Sequence, residues 1–199
     1  MNTSIFHILF VIGFLSFMVV RMYYHRRARA EGGRMNSRDT RLSVILRIAV
    51  AIPMMIVLAA YMIQPDFLEW AAIGLPSSIR WAGAAMMGVS FGLLIWVQQA
   101  LGANFNTILG VRERGHLVTH GPYRWVRHPM YTVLFLFLTG ILLLTANHFV
   151  GGFLLAGFLV TIATRVDKEE AVLEEEYGEA YRSYKARTGR FVPRLGVTA

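Results

Sequence analysis

The chain has 199 residues, of which 55% are hydrophobic and only 16% charged, with a formal net charge of +8 and no cysteine. So little charge, at a mean hydropathy of +0.47, excludes an ordinary soluble domain. The missing thiols exclude disulfides, thiolate catalysis, cysteine-ligated metal and attachment of prenyl or palmitoyl groups. The basic excess is not a nucleic-acid footprint: every Arg and Lys except Arg80 falls within residues 21–47, 112–127 or 165–194, and these segments flank apolar runs. That is the positive-inside pattern of a membrane protein, and it places all three basic segments on the cytoplasmic face.

In chain order, residues 4–24 predict a first span, retained because its positive charge follows the apolar run, with Tyr23 and Tyr24 at the interface. Residues 25–41 predict an Arg-rich mobile loop. Residues 42–63 form a second span with a kink expected at Pro53. Residues 64–78 make an outer connection. Residues 79–101 form a third span, whose Gly83, Gly88 and Gly92 suit close helix approach. Residues 102–128 are polar and read as a cytoplasmic linker. Pro129 opens a fourth span, 129–145, because proline suits the first helical turn. The short turn Ala146-Asn147-His148 then leads into a fifth, 149–164. A charged helix over 167–187 carries a stripe of Leu173, Tyr177, Tyr181 and Tyr184, with Glu174, Glu175, Glu179 and Arg182 on its other face. The tail 190–193 ends it.

The expected fold is all-α and integral to the membrane: about five transmembrane helices, a cytoplasmic linker and an amphipathic C-terminal helix. The N-terminus lies outside and the C-terminus in the cytoplasm; the short chain and retained first span point to a prokaryotic inner membrane. Residues 1–101 hold the three N-terminal helices and 102–199 the catalytic region.

The residues able to do chemistry gather beside the last two spans. Arg127, His128 and Tyr131 lie at the mouth of the fourth, whose first amides favour an anion; Gly115, Gly121 and Pro122 fix turns before it. Arg165 and Glu169, four apart, share a helix face where the fifth span leaves the membrane. The plainer reading of these residues is topogenic charge, aromatic belt and an intrahelical ion pair. Metal is not expected, because Gly121-Pro122 interrupts any helix that would align His116, His120 and His128 into a ligand set. A Rossmann fingerprint and a Walker A loop are absent.

Gly121-Pro-Tyr123, then Arg127-His-Pro-Met-Tyr131, then Glu169-Glu170 before Leu173, then Tyr177-Gly178 and Tyr181, resemble the isoprenylcysteine carboxyl methyltransferases. These belong to a wider group of membrane methyltransferases that includes phospholipid N-methyltransferases. The similarity covers about residues 102–193, and its motifs are more specific for the group than for the substrate. It implies S-adenosylmethionine, leaving as S-adenosylhomocysteine, held without a Rossmann domain in a pocket of linker, hairpin and C-terminal helix. Carried over by position, Gly115, His116, Leu117, Val118, Tyr123, His128, Pro129, Met130 and Tyr131 line the cofactor. Glu169 binds its amino end, and Arg165 holds a substrate carboxylate. Two positions depart from the family pattern: Gly115 stands at the usual His, and Gly110 where members often carry an amide or carboxylate.

Elementary chemistry agrees with that expectation. Methyl transfer from a sulfonium is an in-line displacement, and a carboxylate acceptor is already ionised, so the protein mainly aligns two reactants. Arg165 can orient a carboxylate through a bidentate pair. The expected partners are a lipophilic or prenylated acceptor arriving through the bilayer, and membrane lipid, without nucleic acid or metal. The rival readings are N-methylation of an amine headgroup, which needs a base and gains little from Arg165, and a non-catalytic membrane scaffold that keeps the pocket.

Overall fold

Phe6, Phe10, Phe14 and Phe17 recur at spacings of four, four and three, so one helix face carries all of them. All four are buried, while Ile5, Ile8, Ile12 and Leu15 on the other side of the same helix are exposed. An apolar residue on both faces is what a lipid-facing helix shows. The computed structural model describes residues 3–31, 35–37, 41–104, 110–112 and 116–194. Its elements are α1 (Thr3–Glu31), β1 (Met35–Ser37), α2 (Arg41–Ile63), α3 (Ser77–Leu101), β2 (Gly110–Arg112), α4 (Pro129–Thr145) and α5 (Phe153–Arg187). Short 3-10 turns lie at Pro65–Ala71, Gly102–Asn104 and Gly121–Arg124, and a π turn at His148–Gly152.

Three stretches, Ile5–Glu31, Ser77–Leu101 and His148–Arg187, are long and apolar enough to cross a membrane. Ala51–Ile63 with Pro65–Ala71, bent by 112°, makes a fourth if the bent pair counts as one span, and Pro129–Thr145 is shorter. α2 runs through Pro53 as one helix. The sharp bend lies at Gln64, whose φ of −144° and ψ of 87° lie outside the helical region that Pro65 disfavours for its predecessor.

The expected loop 25–41 is corrected by the structure. α1 continues seven residues beyond Tyr24, to Glu31, because Arg, Ala and Glu are good helix formers and Arg27 pairs with Glu31 at 2.8 Å. Ala28 on this extension is fully buried. The chain then forms β1, paired antiparallel with β2 in the register Met35↔Arg112, Asn36↔Val111 and Ser37↔Gly110. The all-α expectation therefore holds apart from this one short pair among the described residues.

The described structure divides into two compact units, each built from three stretches of chain. The first comprises Met1–Met18, Thr40–Phe91 and Leu134–Val160. Phe17 stacks on Phe137 with centroids 3.8 Å apart, and Phe10 meets Tyr61 edge-on at 5.4 Å. Arg80, the one cation outside the basic segments, donates Nε to the Leu144 carbonyl at 3.0 Å and lies 4.1 Å above the Phe6 ring. It thus caps the last turn of α4, where carbonyls lack helical partners. Asn147 closes the turn between α4 and the π turn. Its Oδ1 accepts from the Phe149 and Val150 amides at 3.0 and 2.9 Å, and its Nδ2 donates to the Leu68 carbonyl at 2.8 Å.

Of the three glycines expected to allow close approach in α3, only Gly83 does so. A Cβ there would lie 2.5 Å from the Leu144 amide nitrogen and 2.8 Å from the Gly140 carbonyl, whereas a Cβ on Gly88 or Gly92 meets nothing within 4 Å. Gly83→Ala is therefore expected to destabilise by about 1–3 kcal/mol through overpacking. Gly88→Ala is expected to change stability little or raise it by up to about 1 kcal/mol through helix propensity. Thermal melts in detergent check the pair: equal shifts for the two variants would sink the close-contact assignment.

The second unit comprises Val19–Asp39, Gly92–Val133 and Thr161–Ala199. It contains the start of α4, the charged part of α5 and the tail after Arg187.

Candidate active site

The second unit is organised around the start of α4. Gly121 adopts φ +58°, a conformation that favours glycine, and opens the Gly121–Arg124 turn that carries Tyr123 inward to a buried position. Tyr184 on α5 donates its hydroxyl to the Tyr123 carbonyl at 2.8 Å. Burial pushes the Tyr123 phenol above its usual range, with neighbouring Tyr184 and Glu169 adding to the effect.

The tail after α5 lies alongside the chain before α4. Gly189 N donates to the Trp125 carbonyl at 3.0 Å, Arg127 N to the Gly189 carbonyl at 2.8 Å, and His128 N to the Arg190 carbonyl at 3.0 Å. Thr132 Oγ1 donates to the Phe191 carbonyl at 2.7 Å, and the Phe191 ring lies 6.1 Å from His128 and 6.4 Å from Tyr131. A Cβ on Gly189 would run into the Val192 carbonyl, so only glycine fits this crossing. The amides of Arg127 and His128 are thus taken by the protein's own carbonyls. Those two do not form the anion site expected at this helix start.

Side chains reinforce the same junction. Glu170, only 3% exposed, accepts from Arg127 Nε at 3.1 Å, from Arg190 Nε at 3.2 Å and from Arg190 Nη2 at 3.0 Å. His128 Nε2 lies 3.3 Å and Lys185 Nζ 3.4 Å from its carboxylate. Arg127 also donates Nη1 to the carbonyls of Lys185 and Thr188, capping the C-terminal end of α5. The Arg190 guanidinium is held above its usual range by its hydrogen bond to Glu170, against the penalty of partial burial, with Asp167 at 2.6 Å adding.

His128, only 7% exposed, lies between this hub and a second carboxylate. Glu169 Oε1 accepts from Arg165 Nε at 2.6 Å and from the Tyr131 hydroxyl at 3.0 Å. Its Oε2 lies 3.8 Å from His128 Nδ1, beyond hydrogen-bond reach. Arg165 and Glu169 of α5, Tyr131 of α4 and His128 just before it are thus brought together, in a setting less open than a surface ion pair, with Glu169 22% exposed.

The other expected residues have separate surroundings. His116 is exposed and bound to Asn104, whose Oδ1 accepts from the His116 amide at 2.8 Å. Leu117 is half-buried, while Val118 and Pro129 are buried and Met130 half-buried. Gly115 lies outside the described residues; Gly110 is the first residue of β2. Among the described residues no three His, Asp or Glu side chains are grouped to hold a metal ion.

From the sequence, Glu170 belongs to the charged cluster and motif after the fifth span, Arg190 and Phe191 are only a helix-ending tail, and Thr188 carries no signal. One signal was present: the stripe of Leu173, Tyr177, Tyr181 and Tyr184 continues in register to Glu170 and Val166, both buried. A carboxylate on an apolar stripe implies buried partners. The stripe also survives a break, because Gly178 at φ 51°, ψ −125° interrupts α5.

A family model described as phospholipid methyltransferase matches residues 78–180. The protein-S-isoprenylcysteine O-methyltransferase of Xenopus laevis is 35% identical over 95 residues, covering 46% of this chain and 33% of that protein. The nickel-cobalt-cadmium resistance protein NccN of Alcaligenes xylosoxydans xylosoxydans is 28% identical over 118 residues, covering 59% and 54%. This chain therefore spans about a third to a half of the length of these curated relatives. The structure of the eukaryotic intramembrane Ras methyltransferase, isoprenylcysteine carboxyl methyltransferase, superposes with a TM-score of 0.54 at 21% identity, covering 75% of this chain and 53% of that one. That likeness shows the fold, a helical integral-membrane architecture.

Proposed function

This chain belongs to the phospholipid methyltransferase family, and on that premise we propose that it is an integral-membrane methyltransferase dependent on S-adenosylmethionine. Its acceptor in this reading is the carboxylate of a prenylcysteine or a similar lipophilic isoprenoid acid. The observation that carries the reading is the cluster of Arg165, Glu169, Tyr131 and His128. It combines a cation suited to an anionic nucleophile with a carboxylate whose Oε2 is hydrogen-bonded to none of the described residues. Relatives named protein-S-isoprenylcysteine O-methyltransferase support the same acceptor class.

The donor set fits the cofactor. The Oε2 side of Glu169 suits an ammonium, and the rings of Tyr123, His128 and Tyr131 offer faces to a sulfonium. In this assignment Gly115, His116, Leu117, Val118, Tyr123, His128, Pro129, Met130, Tyr131 and Glu169 hold the cofactor. S-adenosylmethionine supplies a methyl group whose bond to sulfur breaks as the bond to the acceptor oxygen forms. Arg165 orients the acceptor carboxylate, and no residue has to move a proton because that group is already ionised. The chain's remaining task is alignment of the two reactants. The same proposal includes five spans, the N-terminus outside, the C-terminus cytoplasmic in a prokaryotic inner membrane, and catalysis assigned to residues 102–199 beside the helices of 1–101.

Calorimetric titration with S-adenosylhomocysteine in detergent tests it. Affinity in the micromolar range is expected, weakened at least about tenfold in Glu169→Ala through loss of a charge-assisted contact. A folded sample that binds neither cofactor nor product would sink the enzyme reading and favour the membrane scaffold.

A further inference from the structure

We propose that the end of α5 and the tail behind it form a second ligand site, one that binds a phosphate group. A cavity of about 570 Å³ lies there, walled by Arg127, Arg182, Lys185, Arg190 and Arg194, with Glu174 as the carboxylate in the wall. Its volume falls in the range of small-ligand sites, about 300–1,000 Å³. Such sites are mostly apolar; the wall of this one carries five cations and one carboxylate, and although Arg127, Lys185 and Arg190 also meet Glu170 behind it, the remaining positive charge favours an anion. Neither Arg165, Glu169, Tyr131 nor His128 lines it, so it is not the methyl-transfer cluster under another name.

The cations fall into two groups. Arg127 and Arg190 are committed to Glu170 and contribute mainly positive field. Arg182, Lys185 and Arg194 are placed to contact a ligand. Arg194 donates Nη1 to the neutral Ala186 carbonyl at 2.5 Å, and among the described residues its charge meets no carboxylate. Lys185 Nζ is 3.4 Å from Glu170 and 3.8 Å from Glu174, both long for an ammonium pair. Arg182 pairs with Glu174 at 2.9 Å and Glu179 at 3.4 Å, but its side chain is 60% exposed, and surface pairs of this kind are weak and readily exchanged. A guanidinium offers five N–H donors in a planar fork. Arg182 and Lys185 share Glu170, Glu174 and Glu179 through exposed or long contacts, and Arg194 adds a fork that meets none of these carboxylates. Together these three cations match the several oxygens and near-double charge of a phosphate monoester. That chemistry can come from a soluble phosphate or from a lipid headgroup at an anionic membrane surface.

The test uses the full chain in detergent, with inorganic phosphate titrated by calorimetry and phosphatidic acid added to mixed micelles in a parallel thermal-shift series. The comparison variant carries Arg182→Ser and Arg194→Ser, residues outside the Glu170 network; its melting curve without phosphate reports whether it is folded. The expected result is saturable phosphate binding that weakens with salt and falls at least about tenfold in the variant, as loss of charge-assisted hydrogen bonds implies. Phosphatidic acid stabilising the parent chain alone, without a response to inorganic phosphate, also upholds the site and identifies its source as lipid. The proposal is overturned if neither probe acts on the parent chain, or if parent and folded variant respond equally.

Discussion

Glu170→Ala is expected to lower stability by about 3 kcal/mol, the low end of the cost of breaking a buried ion pair. Glu170 is 3% exposed and serves Arg127, itself only 10% exposed, together with Arg190 and Lys185, which are 41% and 42% exposed. The Arg127 contact sets most of the effect, because its guanidinium would stay buried with only the Lys185 and Thr188 carbonyls as partners among the described residues. The two half-exposed cations can turn to water, which reduces their share. A fall of roughly 6–12 °C in melting temperature follows for a chain of this size. Glu170→Gln keeps the shape and one acceptor oxygen and should lose less. The tail should also loosen, since Arg190 ties it to Glu170 as its carbonyl holds the His128 amide. Faster tryptic cleavage near Arg187 and Arg190 would report this. Melting within a degree of the parent chain would show that the tail is held by its backbone bonds alone.

Arg165→Ala is expected to reduce methylation of a carboxylate acceptor by about 10²–10³-fold, the usual loss when a positioned electrostatic partner is removed from a reacting group, while S-adenosylhomocysteine affinity changes only a few-fold. The split arises because Arg165 is assigned to the acceptor and Glu169 to the cofactor, although the two side chains touch at 2.6 Å. Arg165→Lys keeps the charge but loses the planar fork and should recover only part of the activity. An amine acceptor, tested beside the carboxylate in the parent chain, is expected to remain unmethylated, because a cation facing a nascent ammonium opposes the reaction. Unchanged turnover of the carboxylate acceptor in Arg165→Ala would remove the residue from the mechanism. Preferred turnover of the amine would move the assignment to N-methylation.

Features that depend on short stretches of chain were legible in the sequence. The apolar runs gave approximate span limits because hydropathy is a local sum, and Pro129 marked the start of α4 because proline acts on its own φ and the residue before it. The limit of the first span was misjudged: hydropathy reports where lipid ends, whereas α1 continues for as long as Arg, Ala and Glu favour helix and Arg27 pairs with Glu31. The Arg165–Glu169 contact could be read from helical spacing. That His128 and Tyr131 would join it followed only from the family resemblance, since nothing local links positions 38 residues apart.

By itself, then, the sequence determined a membrane-embedded helical chain, the gathering of its basic residues into three segments, and the residue types that stand beside the last apolar runs. All of these follow from composition and near-neighbour periodicity. The tertiary structure decided which charges are structural. Arg80 caps α4 from 64 residues away, Arg127 caps α5 from 58 and 61 residues away, and Glu170 gathers partners 20, 42 and 43 residues distant. An Arg at a membrane edge has the same letter whether it faces headgroups or ends a helix. Its role is set by which carbonyl or carboxylate folding brings within about 3 Å, and that proximity exists only once the chain has folded.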